Sequence, residues 1–141
     1  LILLDTNVIS ELTREAPDKM VLAFLRRQPQ ATLFTSCICE AEVRYGLARM
    51  PRGRRRNELA GRVAVLFAGF AARILSFDST SATHYGTIRV ARRSAGRPIS
   101  VQDAMIAATA RAYGVAVATR NADDFAGCGV RVVNPWSEEE V

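Results

Sequence analysis

Acidic residues stand at four places in this chain where a carboxylate could do chemistry. Asp5 closes the apolar run Leu3-Leu4 and is followed by Thr6 and Asn7. Glu42 lies in Glu40-Ala41-Glu42-Val43-Arg44-Tyr45-Gly46, and Asp103 in Ser100-Val101-Gln102-Asp103. Asp123 and Asp124 close the run Thr119-Arg120-Asn121-Ala122-Asp123-Asp124-Phe125. Each has a plain structural reading. Asp5 can cap a helix running from Asn7 onward, a task Thr6 or Asn7 would do as well. Glu40 and Glu42 sit on largely opposite helix faces; one of them is a solvent-facing acid favoured by the helix N-terminus, and spacing alone does not choose. Ser-x-x-Asp is also a capping box, and Asn and Asp are ordinary turn formers.

Taken together the acids say more. A carboxylate at the end of a buried strand is unfavourable unless it is paired, hydrogen-bonded or bound to a cation. The chain has a single lysine, Lys19, so an acid-lined crevice calls for a hard metal ion. Mg²⁺ and Mn²⁺ take carboxylate oxygens and water, and Mg²⁺ commonly keeps part of its water shell for a phosphate oxygen. The chemistry then available is phosphodiester hydrolysis, with the ion polarising a phosphoryl oxygen and acidifying the attacking water.

The elements that must position these acids follow from hydrophobic pattern. Strand-like runs occur at 1–4, 31–35, 74–77, 115–119 and 130–133, and helical stretches at about 7–14, 17–27, 38–50, 54–72, 79–95 and 101–113. Breaks fall at Pro29, Pro51-Arg52-Gly53, Gly96-Arg97-Pro98 and Gly114. Strands separated by helices predict a parallel α/β sandwich, in which a ligand site lies beyond the carboxyl ends of the strands where strand order switches. The acids are placed there, after the first, second and fourth strands and on the helix leading into the fourth.

Composition narrows the function classes. The 141 residues suit one domain, spanning 1–141, and 49% apolar content excludes a disordered chain. The longest uninterrupted apolar stretch, 63–72, is too short to span a bilayer. The N-terminus has no basic region or cleavage motif, so no signal peptide and a cytoplasmic location are expected; Leu1 reads as the residue after an initiator Met. Cys37, Cys39 and Cys128 form neither a zinc pattern nor an even disulfide set and read as reduced, buried thiols. The net charge is +5, and eighteen of the nineteen basic residues are arginine. Arg49, Arg52, Arg54, Arg55, Arg56 and Arg62 face one nearby acid, Glu58, which suits either a solvated helix face or a polyanion-binding surface.

In order and spacing, Leu4-Asp5-Thr6-Asn7, Glu42-Val43-x-x-Gly46, Asp103-x-x-Ile106-Ala107-Ala108 and Thr119-Arg120-Asn121-x-x-Asp124-Phe125 resemble PIN-domain toxins of the VapC/FitB type, as does the closing Asn134-Pro135-Trp136. The resemblance covers essentially the whole chain. It implies a PIN-like three-layer α/β sandwich whose central five-stranded sheet is mainly parallel. The implied activity is that of a Mg²⁺- or Mn²⁺-dependent endoribonuclease, with Asp5, Glu42, Asp103 and Asp124 as catalytic and metal-binding acids. It selects Glu42 over Glu40, and Asp124 over its neighbour Asp123. Asn7, Thr119, Asn121 and Asp123 are implied to support the site, Thr119 and Asn121 by positioning water. Arg54, Arg55 and Arg56 are candidate RNA contacts. The implied partners are an RNA substrate (transfer RNA is the favoured class), a cognate antitoxin whose tail enters the acidic groove, operator DNA through that antitoxin, and a second copy of the chain.

Two other function classes compete. One is a PIN fold that binds nucleic acid or protein without cutting. The other uses Asp5 as a covalent phosphate acceptor, but such a site wants a second nearby Asp or an active-site Lys, and Thr6-Asn7 stand here instead. His84, alone and without an acid partner, reads as a packing or surface residue. Ser36 and Ser100 read as caps or strand-end residues, and Asp78 as an N-cap for the helix that follows it.

Overall fold

A computed structural model describes residues 1–137. The strands are β1 (Ile2–Leu4), β2 (Leu33–Ser36), β3 (Ile74–Leu75), β4 (Ala116–Ala118) and β5 (Val132–Val133). The helices are α1 (Thr6–Leu12), α2 (Lys19–Arg26), α3 (Cys37–Arg49), α4 (Arg54–Phe70), α5 (Ser79–Ser94) and α6 (Val101–Tyr113). Every expected element is present. The edge strands are shorter than the apolar runs suggest. Only Ile74 and Leu75 of β3 pair with β2, and Phe77 instead turns its ring edge-on to Tyr85 at 6.1 Å. The start of β2 shifts to Leu33 because Gln30–Thr32 forms a 3₁₀ turn, capped by Thr32 bonding back to Pro29.

The strand order is β3-β2-β1-β4-β5, and every pairing is parallel. The mainly parallel sheet expected from the pattern is thus wholly parallel. Alternation along the strands divides the core. Leu3 and Val117 face α5 and α6 with Ile88, Ile106 and Ala107, whereas Ile2, Leu4, Ala118 and Val133 face α1 to α4 with Val8, Val63 and Phe67. Three layers result. The small side chains Ala104, Ala107, Ala108 and Ala110, all 0% exposed, let α6 lie close against the sheet and α5.

Chain order runs outward from β1 to β2 and β3, then crosses back to β4 on the other side of β1. The switch point is therefore between β1 and β4, and the register Leu4↔Ala118 brings their carboxyl ends level. Asp5 and Thr119 are the residues that follow. The backbone N–H of Asp5 continues the ladder by donating to Ala118 O at 3.0 Å, which fixes Asp5 at the mouth of the crevice.

Cys39 and Cys128 are buried, as expected, and Cys37 is half-buried. Asp78, Ser36 and Ser100 cap α5, α3 and α6. Among the described residues no helix is long and apolar enough to cross a membrane.

Candidate active site

Asp5 is only 4% exposed. Its Oδ1 accepts the Val8 N–H at 3.1 Å, so Asp5 itself caps α1, which begins one residue earlier than the pattern suggests. Capping and the crevice position therefore fall on the same carboxylate. A second constraint comes from β4. The Thr119 hydroxyl, 0% exposed, bonds the Asp5 side chain and accepts the Asn121 N–H at 3.1 Å. Thr119 is thus committed to orienting Asp5 and the loop behind it. Burial pushes the Asp5 carboxyl up to about 6, against the lowering effects of Thr119 and the Val8 and Asn7 N–H groups, with the charge of Asp103 adding to the rise.

Glu42 and Glu40 separate as the resemblance implies. Glu40 pairs with Arg44 at 2.8 Å, one turn along the outside of α3. Glu42 turns inward, and its Oε1 accepts the Thr6 hydroxyl at 3.0 Å. Its pKa is raised, first by burial and also by the charge of Asp103. Asp103 stands in the first turn of α6, where the Ser100 hydroxyl accepts its N–H at 3.1 Å. Ser100 is the cap, and its hydroxyl also bonds the half-buried Asp103 carboxylate. Burial raises its pKa and Asp124 adds to the rise, whereas the Ser100 hydrogen bond and the charge of Arg92 oppose it. Asp103 is the hub of this group, coupled to Asp5, Glu42 and Asp124. Asp124 is the member of the Asp123–Asp124 pair whose charge is felt there.

Arg92 is the residue that sequence reasoning missed. It is 6% exposed on α5, and its Nε donates to Arg97 O at 2.6 Å. Nη1 donates to Asp124 O at 2.9 Å and Ala126 O at 2.8 Å, with Asp123 O at 3.4 Å. One buried guanidinium thus holds the backbone of the 3₁₀ turn Ala122–Phe125 that carries Asp124, while its charge favours ionised Asp103. A signal existed: Ser81, Ile88 and Arg92 form the buried stripe of α5 at helical spacing. In so arginine-rich a helix one buried cation has no local mark that sets it apart. Arg92→Met should destabilise the fold by about 3 kcal/mol in urea unfolding, because it strands several carbonyls. Full retention of stability would show that water replaces the guanidinium.

Burial pushes the Cys39 thiol up to about 11 and keeps it neutral, with the charge of Asp5 adding to the rise. Asn7 and Asn121 line a cavity beside the acids. Glu42 ends a second groove of about 600 Å³ between α1, α3 and α4, which Arg14, Arg55 and Arg62 also line. Of the three arginines singled out from sequence, Arg55 alone faces that groove. Arg54 is tied to Glu58 at 2.9 Å, and Arg56 is half-buried outside the lining.

Among the described residues no three acid, thiol or imidazole side chains converge tightly enough to cage an ion unaided. The donor set is nonetheless oxygen only, and none of the four acids is salt-bridged among the described residues. That set fits a hard cation that keeps several waters and takes one or two carboxylates directly, as Mg²⁺ does.

The fold and site define a class: a wholly parallel α/β sandwich with an acidic crevice at the switch point of its sheet. Residues 2–128 match the family model described as PIN domain. The chain is 44% identical over 140 residues to the VapC ribonuclease Y4jK of Sinorhizobium fredii, covering 96% of this chain and 98% of that protein. It is 40% identical over 139 residues to the toxin FitB of Neisseria gonorrhoeae, covering 98% and 100%. Its backbone matches the solved structure of FitAB bound to an IR36 DNA fragment with a TM-score of 0.92, at 40% identity over 99% of both chains. The chain belongs to the PIN-domain family, alongside its VapC and FitB members.

Proposed function

We propose that this protein is a metal-dependent endoribonuclease and the toxin of a type II toxin–antitoxin pair. The observation that carries the reading is the set of four carboxylates coupled through Asp103 at the sheet's switch point, with no ion-paired cation among the described residues. Asp5, Glu42, Asp103 and Asp124 would hold Mg²⁺ or Mn²⁺, which when bound supplies Lewis-acid polarisation of the phosphoryl oxygen and acidifies the attacking water. Thr119 orients Asp5, Thr6 orients Glu42, and Arg92 holds the turn carrying Asp124. Asn7 and Asn121 offer amides to substrate or water at the rim.

The partners follow from the relatives. One is named a ribonuclease, another a toxin, and FitAB has been solved on DNA. By that likeness this chain pairs with a cognate antitoxin whose basic tail enters the groove ending at Glu42, reaches operator DNA through that partner, and forms a homodimer. The test is cleavage of labelled total RNA, transfer RNA included, by antitoxin-free protein with Mg²⁺, Mn²⁺ or EDTA, beside a folded Asp5→Asn control. Discrete cuts that need metal and vanish in the variant establish the reading. The alternative, a PIN fold that binds without cutting, draws on the absence of a ready-made three-acid cage among the described residues, and gains if neither protein cuts and neither binds metal.

The groove makes a further prediction about the basic run. Arg55→Gln should weaken RNA binding and reduce the slope of log affinity against log salt by about 0.7, whereas Arg54→Gln should change little. Equal effects from the two would move the RNA path out of this groove.

A further inference from the structure

A cavity of about 560 Å³ is lined by Asn7, Ser10, Glu11, Arg14, Arg120, Asn121 and Trp136. Its lining differs in kind from the groove at Glu42. The Arg120 guanidinium carbon lies 5.2 Å from the centroid of the Trp136 ring. The ring is anchored: its backbone N–H donates to Asn134 Oδ1 at 2.9 Å, and its side chain packs on the core of the α1–α4 face. Asn134 Nδ2 in turn reaches Arg120 O at 3.4 Å, so the two stacked residues are tied through their backbones. Among the described residues Arg120 makes no salt bridge, and it lines the cavity. Arg14 also lines the cavity and makes two 3.3 Å contacts to the buried Glu11.

The cavity touches the reaction site at two points. Asn7 follows Asp5 by two residues, and the Asn121 N–H is bonded to the hydroxyl that orients Asp5. Arg14 and Ser10 line this cavity and the groove at Glu42 alike, so the two meet at one ridge beside the acids. A strand of phosphates crossing a four-carboxylate cluster needs cations on both sides of it. A planar guanidinium backed by tryptophan offers both a fork for phosphate and a flat face for a base.

We propose that this cavity is a subsite for one nucleotide of single-stranded RNA flanking the cut. The base stacks on the outer face of Arg120, and its phosphate lies between Arg120 and Arg14. The substrate class rests on the ribonuclease reading above; the subsite is an addition to it.

Trp136 is the only tryptophan in the chain, so its fluorescence reports on this cavity directly. The experiment titrates antitoxin-free protein with an eight-nucleotide single-stranded RNA in EDTA, where cleavage is silent. The expected result is saturable quenching of Trp136 and about a tenfold loss of affinity in Arg120→Gln, set by the lost stack and charge. Arg93→Gln, which removes an exposed charge on α5 outside both cavities, should bind as the native protein does. If Arg120→Gln does not fold by circular dichroism, Arg120→Lys keeps the charge and should still lose several-fold. An unresponsive Trp136, equal losses in the Arg93 and Arg120 variants, or quenching by an antitoxin tail peptide but not by RNA would each overturn the subsite. Quenching without any cleavage in metal would sink the nuclease reading and leave the subsite standing. Cleavage with a silent Trp136 would do the reverse.

Discussion

Asp5→Asn should lower the rate of RNA cleavage by on the order of 10³-fold or more, and yet make the metal-free protein more resistant to urea above pH 6. The two effects share one cause. In the native fold Asp5 is 4% exposed and lies near Asp103, and its carboxyl titrates at about 6 instead of the ordinary 3.8. A carboxyl raised on folding binds its proton more tightly in the native state. The fold is then least burdened below pH 3.8, loses stability as pH rises from 3.8 to about 6, and carries the full penalty above that. A gap of that size corresponds to up to about 3 kcal/mol. Asparagine removes the charge but caps α1 as well as aspartate does, so the helix start is preserved. Urea midpoints at pH 5 and pH 8, in EDTA, read the difference. The variant should gain on the native protein as pH rises through 6; a constant offset would mean that Asp5 is not strained by its burial. Loss of cleavage with gain of stability is the signature of a functional charge, since a merely structural acid would lose both.

Divalent metal should reverse that strain. With Mg²⁺ or Mn²⁺ at a hundredfold over its dissociation constant, the native protein should gain roughly 2.7 kcal/mol, or about 5–10 °C in melting temperature. The gain should be full at pH 8 and shrink toward pH 5, because protons and the ion compete for Asp5, Glu42 and Asp103, all of which have raised pKa values. Asp103→Asn should abolish most of it, since that residue is coupled to each of the other three acids. Thermal melts with and without EDTA at the two pH values are sufficient. A melting temperature indifferent to metal at pH 8 would remove the ion-binding role from this cluster, whatever the protein does to RNA.

Much of this was legible in one dimension. Apolar runs and their Gly and Pro breaks mark eleven elements to within a few residues, because burial on both faces of a parallel sheet demands nearly continuous apolar strands. The parallel sheet, and with it Asp5 at the carboxyl end of the first strand, follows from the alternation of strands and helices; that the strand order switches between β1 and β4 is seen only in the fold. Spacing leaves Glu40 and Glu42 open and the family resemblance favours Glu42; the structure adds a physical reason, since Arg44 neutralises Glu40 on the outer face while Thr6 receives Glu42 within.

Contacts between residues far apart in the chain were a different matter. Nothing near Thr119 in sequence says that its hydroxyl bonds Asp5, and nothing near Arg92 says that it reaches carbonyls more than 30 residues away. The same holds for Arg120 over Trp136, and for Arg55 facing the groove while Arg54 turns to Glu58. Local sequence determines where the backbone coils and which residue types are available at each strand end, because periodicity and capping act over a few residues. Which charge is buried, which is paired and which is left open to a ligand was decided only by tertiary packing. Desolvation and Coulomb terms depend on distances that only the folded chain sets.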